Sequence, residues 1–359
     1  MRIAISTGGG DAPGLNAVIR AVVLSAHQRA WQTYGIQRGF EGLLSFDGVV
    51  ALGPAEVRGI THLGGTILGT TNRGNPFRWV ARNESGVEYE RDRSDDLCAA
   101  FHASGFDALV SIGGDGSMQI AHQLALEGLP VVCVPKTIDN DVYGTQRTFG
   151  FDTAVSTATE ALDRLHSTAE SHERVMVVEL MGRDAGWIAL NSGISGSADV
   201  ILLPEIPFDI EKVCDKIRRR EAAGRHFSIV VVAEGACARG DSPVLVERRG
   251  VGTVDRLGGI AGQVAHAVAQ RTGKEVRTLV LGHLQRGGTP TTYDRLLGLR
   301  FGAAAVRAIA NGEFDVMVGL NNSTITTVPL GDVVGRQKLV PLDSDTIQTA
   351  RELGISLGD

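Results

Sequence analysis

Cysteine is sparse in this chain of 359 residues. Its four cysteines (Cys98, Cys133, Cys214, Cys237) are scattered, with no Cys-x-x-Cys and no metal-type spacing. That argues against a disulfide scaffold or a structural zinc module, and a reduced, cytoplasmic compartment is expected. No apolar run approaches the roughly 20 residues that span a bilayer. Met1 to Ser6 enters an apolar strand at once, so no signal peptide is expected. Neither sign of charge dominates: the net charge is −6, with both signs spread along the chain. Broad nucleic-acid or membrane-surface binding is therefore not expected, though local basic pockets are. There is no Walker A motif, no periodic repeat and no low-complexity segment. The only linker candidates are the stretch before Asp209 and the glycine-rich stretch from Gly235 to Gly252.

Glycine, by contrast, is abundant, and the 46 glycines cluster where apolar runs end. Tight βα turns and phosphate loops are built that way, because helix-end amides then face an anion. Arg2 to Ser6, the loop Gly8-Gly-Gly-Asp-Ala-Pro-Gly14 and a helix from about Asn16 to Arg29 make one such unit. Gly64-Gly-Thr-Ile-Leu-Gly-Thr-Thr-Asn-Arg-Gly74 is a second loop, ending beside a basic residue. Each alone is equally a plain turn. The charged stretch from Pro76 to Asp96 reads as a surface excursion. Further apolar runs with little alternation, each separated by a helix, predict parallel strands covered on both faces, an α/β fold.

Two strand tips stand out. Asp107-Ala-Leu-Val-Ser-Ile-Gly-Gly-Asp-Gly-Ser117 is a buried strand running into a glycine turn that carries Asp115. Pro135-Lys-Thr-Ile-Asp-Asn-Asp141 is a neighbouring tip with acids two apart, which in extended chain face the same way. Bare glycine backbone admits a phosphate, Asp115 can hold Mg²⁺, and one of Asp139 and Asp141 can take a proton from a hydroxyl. Alternatively, Asp115 marks a plain Asp-Gly turn, and Thr137 and Asp139 merely cap one. Arg174, Arg183, Arg277, Arg286 and His283 all flank strand ends or starts, where guanidinium forks suit phosphate. Asp152-Thr153 is expected to cap the helix that follows.

Taken together, these motifs resemble the 6-phosphofructokinases of the glycolytic, bacterial type. The matching stretches are Gly9 to Gly14, Gly113 to Ser117, Pro135 to Asp141, Met181-Gly-Arg183, Ala233-Glu-Gly235 and Leu281-Gly-His-Leu-Gln-Arg-Gly-Gly288. They follow that family's order over about residues 2 to 310. The resemblance implies two Rossmann-like, three-layer α/β domains with mainly parallel sheets and the active site in the cleft between them. Residues 1–150 plus about 285–330 would bind the phosphoryl donor, and 151–284 plus about 331–359 the sugar phosphate.

By the same resemblance, Gly10, Arg73, Gly74, Gly114, Asp115, Gly116 and Ser117 would meet the donor, with Asp115 on Mg²⁺. Asp139 would be the base for the sugar 1-hydroxyl, Thr137 and Arg183 would stabilise the transferring phosphoryl group, and Asp141 would assist the metal and the base. Met181, Gly182, Glu234, His283 and Arg286 would hold fructose 6-phosphate. Arg174 and Arg277 match arginines that reach the sugar phosphate from a neighbouring subunit, so a homo-oligomer is expected, a dimer at least and a tetramer by resemblance. Gly116 resembles the ATP users, since pyrophosphate users commonly carry Asp there. Lys136 resembles the pyrophosphate users, where enteric ATP enzymes have Gly. ATP is the expected donor, with pyrophosphate or ADP as the alternative. A lipid or NAD kinase relative, or a non-catalytic sugar-phosphate sensor, fits the motifs less well. The last ~45 residues carry no motif, and only packing on the second domain is expected of them.

Overall fold

The computed structural model describes residues 1–247 and 256–359, and the end of the glycine-rich linker candidate lies outside them. In chain order the first half holds β1 (Arg2–Thr7), α1 (Leu15–His27), β2 (Gln32–Ile36), β3 (Val49–Leu52), β4 (Trp79–Arg82), β5 (Glu88–Arg91), α2 (Ser94–Ala103), β6 (Ala108–Gly113), α3 (Asp115–Leu126) and β7 (Val131–Pro135). The second half continues with α4 (Phe151–Ser171), β8 (Val175–Leu180), α5 (Trp187–Ser195), β9 (Val200–Leu202), α6 (Ile210–Ala222), β10 (Ser228–Ala233), β11 (Leu245–Glu247), β12 (Arg256–Leu257), α7 (Ile260–Thr272) and β13 (Val276–Val280). It closes with α8 (Thr292–Ala310), β14 (Val316–Asn321), β15 (Thr324–Pro329), α9 (Leu330–Val333) and α10 (Asp345–Glu352).

The apolar runs build two separate sheets. The first has the order β15-β14-β7-β6-β1-β2-β3, and the second β13-β8-β10-β9. Within the first, only the outer strands β3 and β15 run antiparallel to their neighbours; every pairing of the second is parallel. Strand alternation explains how one run feeds two cores. Ile3, Ile5, Val110, Val132 and Val134 face the α1–α8 side, while Ala4, Leu109, Val131 and Cys133 face the α2–α3 side. In the second sheet Val178, Leu180, Val231 and Ala233 meet α4 and α5, whereas Val177, Val230 and Val232 meet α6 and α7. Burial on both faces is what removed the alternation from these strands.

Several expectations shift. α3 begins at Asp115 with Gly114 as its N-cap, so Asp115, Gly116 and Ser117 form the first helical turn rather than a preceding loop. The N-cap of α4 is Gly150, with φ 96°, and no side chain caps it. Asp152 and Thr153 sit inside the helix and bond elsewhere. The charged excursion holds the hairpin β4–β5, braced by Arg78–Glu90 and Arg82–Glu88 pairs. β3, β14 and β15 had no sequence signal, yet they widen the first sheet. Tail residues Ile347, Ala350, Ile355 and Leu357 join the core beside α4 and α5, and Ser356 pairs with Val200 at the rim of β9. Among the described residues, no helix is long and apolar enough to cross a membrane.

Candidate active site

The tips of β1, β6 and β7 are locked together by backbone bonds. The Gly8 amide donates to the Ile112 carbonyl at 2.9 Å, and the Lys136 amide to the Gly113 carbonyl at 2.8 Å. The second glycine loop folds over the first: the Gly9 amide donates to the Thr71 carbonyl at 3.0 Å, and Thr70 Oγ1 to the Gly9 carbonyl at 2.6 Å. Arg73 and Gly74 lie on that covering loop, where the Arg73 amide donates to Thr71 Oγ1 at 3.0 Å. Ser117 packs so tightly on the β6 tip that a Cβ on Gly113 would lie 2.2 Å from the serine Cβ. Gly116 differs: a Cβ there meets nothing within 4 Å. Position 116, in the first turn of α3, therefore borders open space. Asp115 accepts from Gln119 Nε2 at 2.8 Å. Its pKa is raised, by burial first and then by the charge of Asp141, with Asp184 adding to the rise.

The β7 tip does not continue as extended chain. Asn140 adopts φ 54°, so Asp139 and Asp141 meet through a turn and not through strand alternation. Asparagine tolerates this conformation better than most residues. Here Asn140 Oδ1 accepts from the Thr148 amide at 3.1 Å. Thr137 joins the two acids: its Oγ1 accepts the Asp139 amide at 3.1 Å, and its hydroxyl donates to Asp141. Asp139 Oδ1 is shielded from solvent and has no hydrogen-bond partner among the described residues. Burial, followed by the neighbouring charge of Asp141, lifts the Asp139 carboxyl to about 7, while Arg286 pulls the other way. Asp141 is raised mainly by burial. Lys136 is buried, and its ammonium donates to the Gly10 carbonyl. Burial and then Arg286 bring its pKa down to about 8.

The second sheet supplies the opposite wall. Beyond β8, Met181 to Asp184 form a turn, and the Gly235 amide donates to the Gly182 carbonyl at 3.1 Å. Glu234, at the β10 tip, is raised by burial and by Glu179, and lowered by Arg286 and Arg183. His283 and Arg286 follow β13 on one 3₁₀ turn. Arg286 crosses to the first sheet, where its Nη1 donates to the Asp11 carbonyl at 3.1 Å. A Cβ on Gly10 would come within 2.9 Å of that same nitrogen, so glycine at 10 admits the guanidinium.

The five basic residues do not converge within one chain. Arg183, His283 and Arg286 follow the carboxyl ends of strands. Arg174 immediately precedes β8, Arg277 lies at the start of β13, and both pair with Glu275, at 3.0 and 2.5 Å. They stand at the opposite end of the sheet because parallel strands place all starts on one side.

Two site residues escaped sequence reading. Asp184 directly follows Met181-Gly-Arg183, and its charge helps raise Asp115, Asp139 and Asp141; reading one residue further would have included it. Lys338 had no signal. Its amide donates to the Asp141 carbonyl at 2.8 Å, and burial lowers the pKa of its ammonium from the ordinary value.

A family-wide sequence description, Phosphofructokinase, matches residues 2–309 of this chain. The chain belongs to the phosphofructokinase family. A Chloroflexus aggregans protein named ATP-dependent 6-phosphofructokinase is 52% identical over 358 residues, 100% of this chain and 98% of that one. A Synechocystis protein named ATP-dependent 6-phosphofructokinase 1 is 49% identical over 362 residues, again covering 100% and 98%. Among solved structures, Pichia pastoris phosphofructokinase in the T-state aligns with a TM-score of 0.80 at 30% identity, over 99% of this chain and 37% of that longer one. Marinobacter aquaeolei pyrophosphate-dependent phosphofructokinase aligns at 0.81 and 21% identity, over 100% and 92%, which speaks to fold alone.

Proposed function

We propose that this chain transfers the γ-phosphoryl group of ATP to the 1-hydroxyl of D-fructose 6-phosphate, giving fructose 1,6-bisphosphate and ADP, as a cytoplasmic enzyme of glycolysis. The observation that carries this reading is Asp139, a shielded carboxyl whose Oδ1 has no partner among the described residues, raised by burial and by Asp141, between a glycine-built anion loop and a basic wall. A base works best when its pKa lies near the working pH. Asp139 takes the hydroxyl proton, Asp141 assists it and the metal, and Thr137, bonded to both acids, stabilises the transferring phosphoryl group. Arg183 faces the charge that develops on the transferring group. Gly10, Arg73, Gly74, Gly114, Gly116 and Ser117 line the donor's phosphates. Met181, Gly182, Glu234, His283 and Arg286 hold the sugar phosphate. Such catalysis is mainly positioning and charge stabilisation.

Among the described residues no three or more His, Cys, Asp or Glu side chains form a metal cage. Mg²⁺ in kinase sites is instead held by one or two carboxylates together with substrate phosphates. Asp115 fits, since it lies where Asp141 and Asp184 add negative charge. Mg²⁺ held there would neutralise charge on the donor's phosphates.

In this reading residues 1–150 plus about 285–330 form the donor domain, and 151–284 plus about 331–359 the sugar-phosphate domain. Arg174 and Arg277, remote from their own site, serve a neighbouring subunit of a dimer or tetramer.

ATP is favoured as donor because the space beside Gly116 is open, and an Asp there would fill it with negative charge. Pyrophosphate is the second reading, since Lys136 supplies a buried ammonium beside the donor loop. Assaying the purified protein with ATP, ADP and pyrophosphate side by side decides this. Turnover of fructose 6-phosphate chiefly with ATP is expected; none with any donor would overturn the reading.

A further inference from the structure

Lys338 lies in the tail, far in sequence from every motif, yet its ammonium is fully engaged at the site. An ammonium has three donors and no acceptor. Here all three find oxygen: Asn140 Oδ1 at 2.9 Å, the Thr145 carbonyl at 2.9 Å and the Gln146 carbonyl at 3.1 Å. The first belongs to the turn that carries Asp139 and Asp141, and the other two to the loop that follows it. Asn140 stands between the two acids in a left-handed conformation that persists only when its surroundings enforce it. Lys338 does so through the side chain of Asn140 and through the Asp141 carbonyl.

The same short segment grips the opposite wall. Trp187 Nε1 donates to the Lys338 carbonyl at 2.8 Å, and the Trp187 ring lies 5.8 Å from the Lys338 ammonium. Gln337 Nε2 reaches Asp184 Oδ2 at 3.3 Å. The Val340 amide donates to Glu205 Oε1 at 2.9 Å, and that carboxylate also accepts the Gly186 amide at 3.0 Å. Residues 337–340 thus form a strap from the acid turn to the turn that carries Arg183.

We infer that Lys338 is a positioning residue for phosphoryl transfer, holding the Asp139–Asp141 turn in register with the Arg183 turn. It touches no reacting atom. The inference rests on the proposed kinase reading and adds to it a residue from the tail. Misplacement of reacting groups by ~1 Å can cost ~10²-fold in rate.

The test is steady-state kinetics of Lys338→Met, which retains an apolar stem against Trp187 and loses the ammonium. We expect kcat to fall ~10-fold or more, with KM for fructose 6-phosphate and ATP within ~3-fold of the parent. Amide exchange across 140–148 should quicken, while β6 and β7 stay protected. Lys338→Arg keeps the charge, but a planar fork does not meet three oxygens placed around an ammonium. Its kcat should fall between those of the parent and Lys338→Met. A kcat like the parent's in Lys338→Met overturns the inference, as does a fall matched by raised KM values and faster exchange throughout. Should Lys338→Met not fold, Lys338→Arg decides alone: lowered kcat at unchanged KM supports the inference, and parental kcat overturns it. A parent without turnover defeats the kinase reading instead, and exchange across 140–148 still reports on the strap.

Discussion

Thr153 gives both its amide, at 2.8 Å, and its hydroxyl, at 2.6 Å, to a single oxygen of Asp294. Thr153 stands in the first turn of α4 and Asp294 in that of α8, so one carboxylate joins the helix of the second core to a helix of the first. Thr291 closes the cluster, its amide on Thr153 Oγ1 at 3.0 Å and its hydroxyl on Asp152 Oδ2 at 2.6 Å. The two residues that sequence reading made an N-cap are thus a fastening between the two halves.

That fastening should make stability depend on pH. Asp294 is fully buried, and burial lifts its carboxyl from the ordinary 3.8 to about 6. A folded-state pKa above the unfolded one means that the folded state binds the extra proton. The contribution is therefore complete below 3.8 and is lost as pH rises through about 6. The difference corresponds to at most roughly 3 kcal/mol. Urea unfolding from pH 4 to 7 should show the parent losing stability relative to Asp294→Asn; parallel curves would refute the assignment.

Asp139→Ala should lose ~10²–10⁴-fold in kcat, the usual effect of removing a positioned base. Calorimetric binding of fructose 6-phosphate should change far less, because Glu234, His283 and Arg286 remain. Near-normal turnover in this variant would remove Asp139 from the role of base.

Gly116→Asp separates fold from donor choice. A Cβ at 116 meets nothing within 4 Å, and an acid in the first turn of α3 suits the helix dipole. The melting temperature should therefore stay within ~2 °C of the parent. Like charge against the donor's phosphates costs several kcal/mol, so kcat/KM for ATP should drop ~10²-fold or more. Undiminished use of ATP would place the donor elsewhere.

Arg277→Ala and His283→Ala should each lose activity alone and recover part of it when co-expressed. A site built from His283 of one chain and Arg277 of its neighbour is intact in half the pairings of a mixed dimer. No recovery in mixed oligomers would mean that Arg277 does not serve a neighbour's site.

The strand tips were legible because their chemistry is local. A short polar or glycine-rich motif after a buried strand needs no distant residue to announce itself: Asp115, Arg183 and Arg286 sit beside glycines, and Asp139 in the run Thr137-Ile-Asp-Asn-Asp141. β14 and β15 were not legible, since edge and hairpin strands draw their stability from neighbours that the sequence does not name. The same is true of Asn140, whose left-handed turn depends on Thr148 and Lys338.

The sequence by itself determined the α/β class, the glycine loops, the acids and the family to which they belong, because backbone periodicity and short motifs are written in contiguous residues. Only the tertiary structure decided which basic residues share a site. Parallel strands separate Arg174 and Arg277 from Arg183, His283 and Arg286 by the length of the sheet. It also decided that the motif-free tail returns to the turn of Asp139 and Asp141, because hydrogen bonds from Lys338 form between residues that only folding brings together.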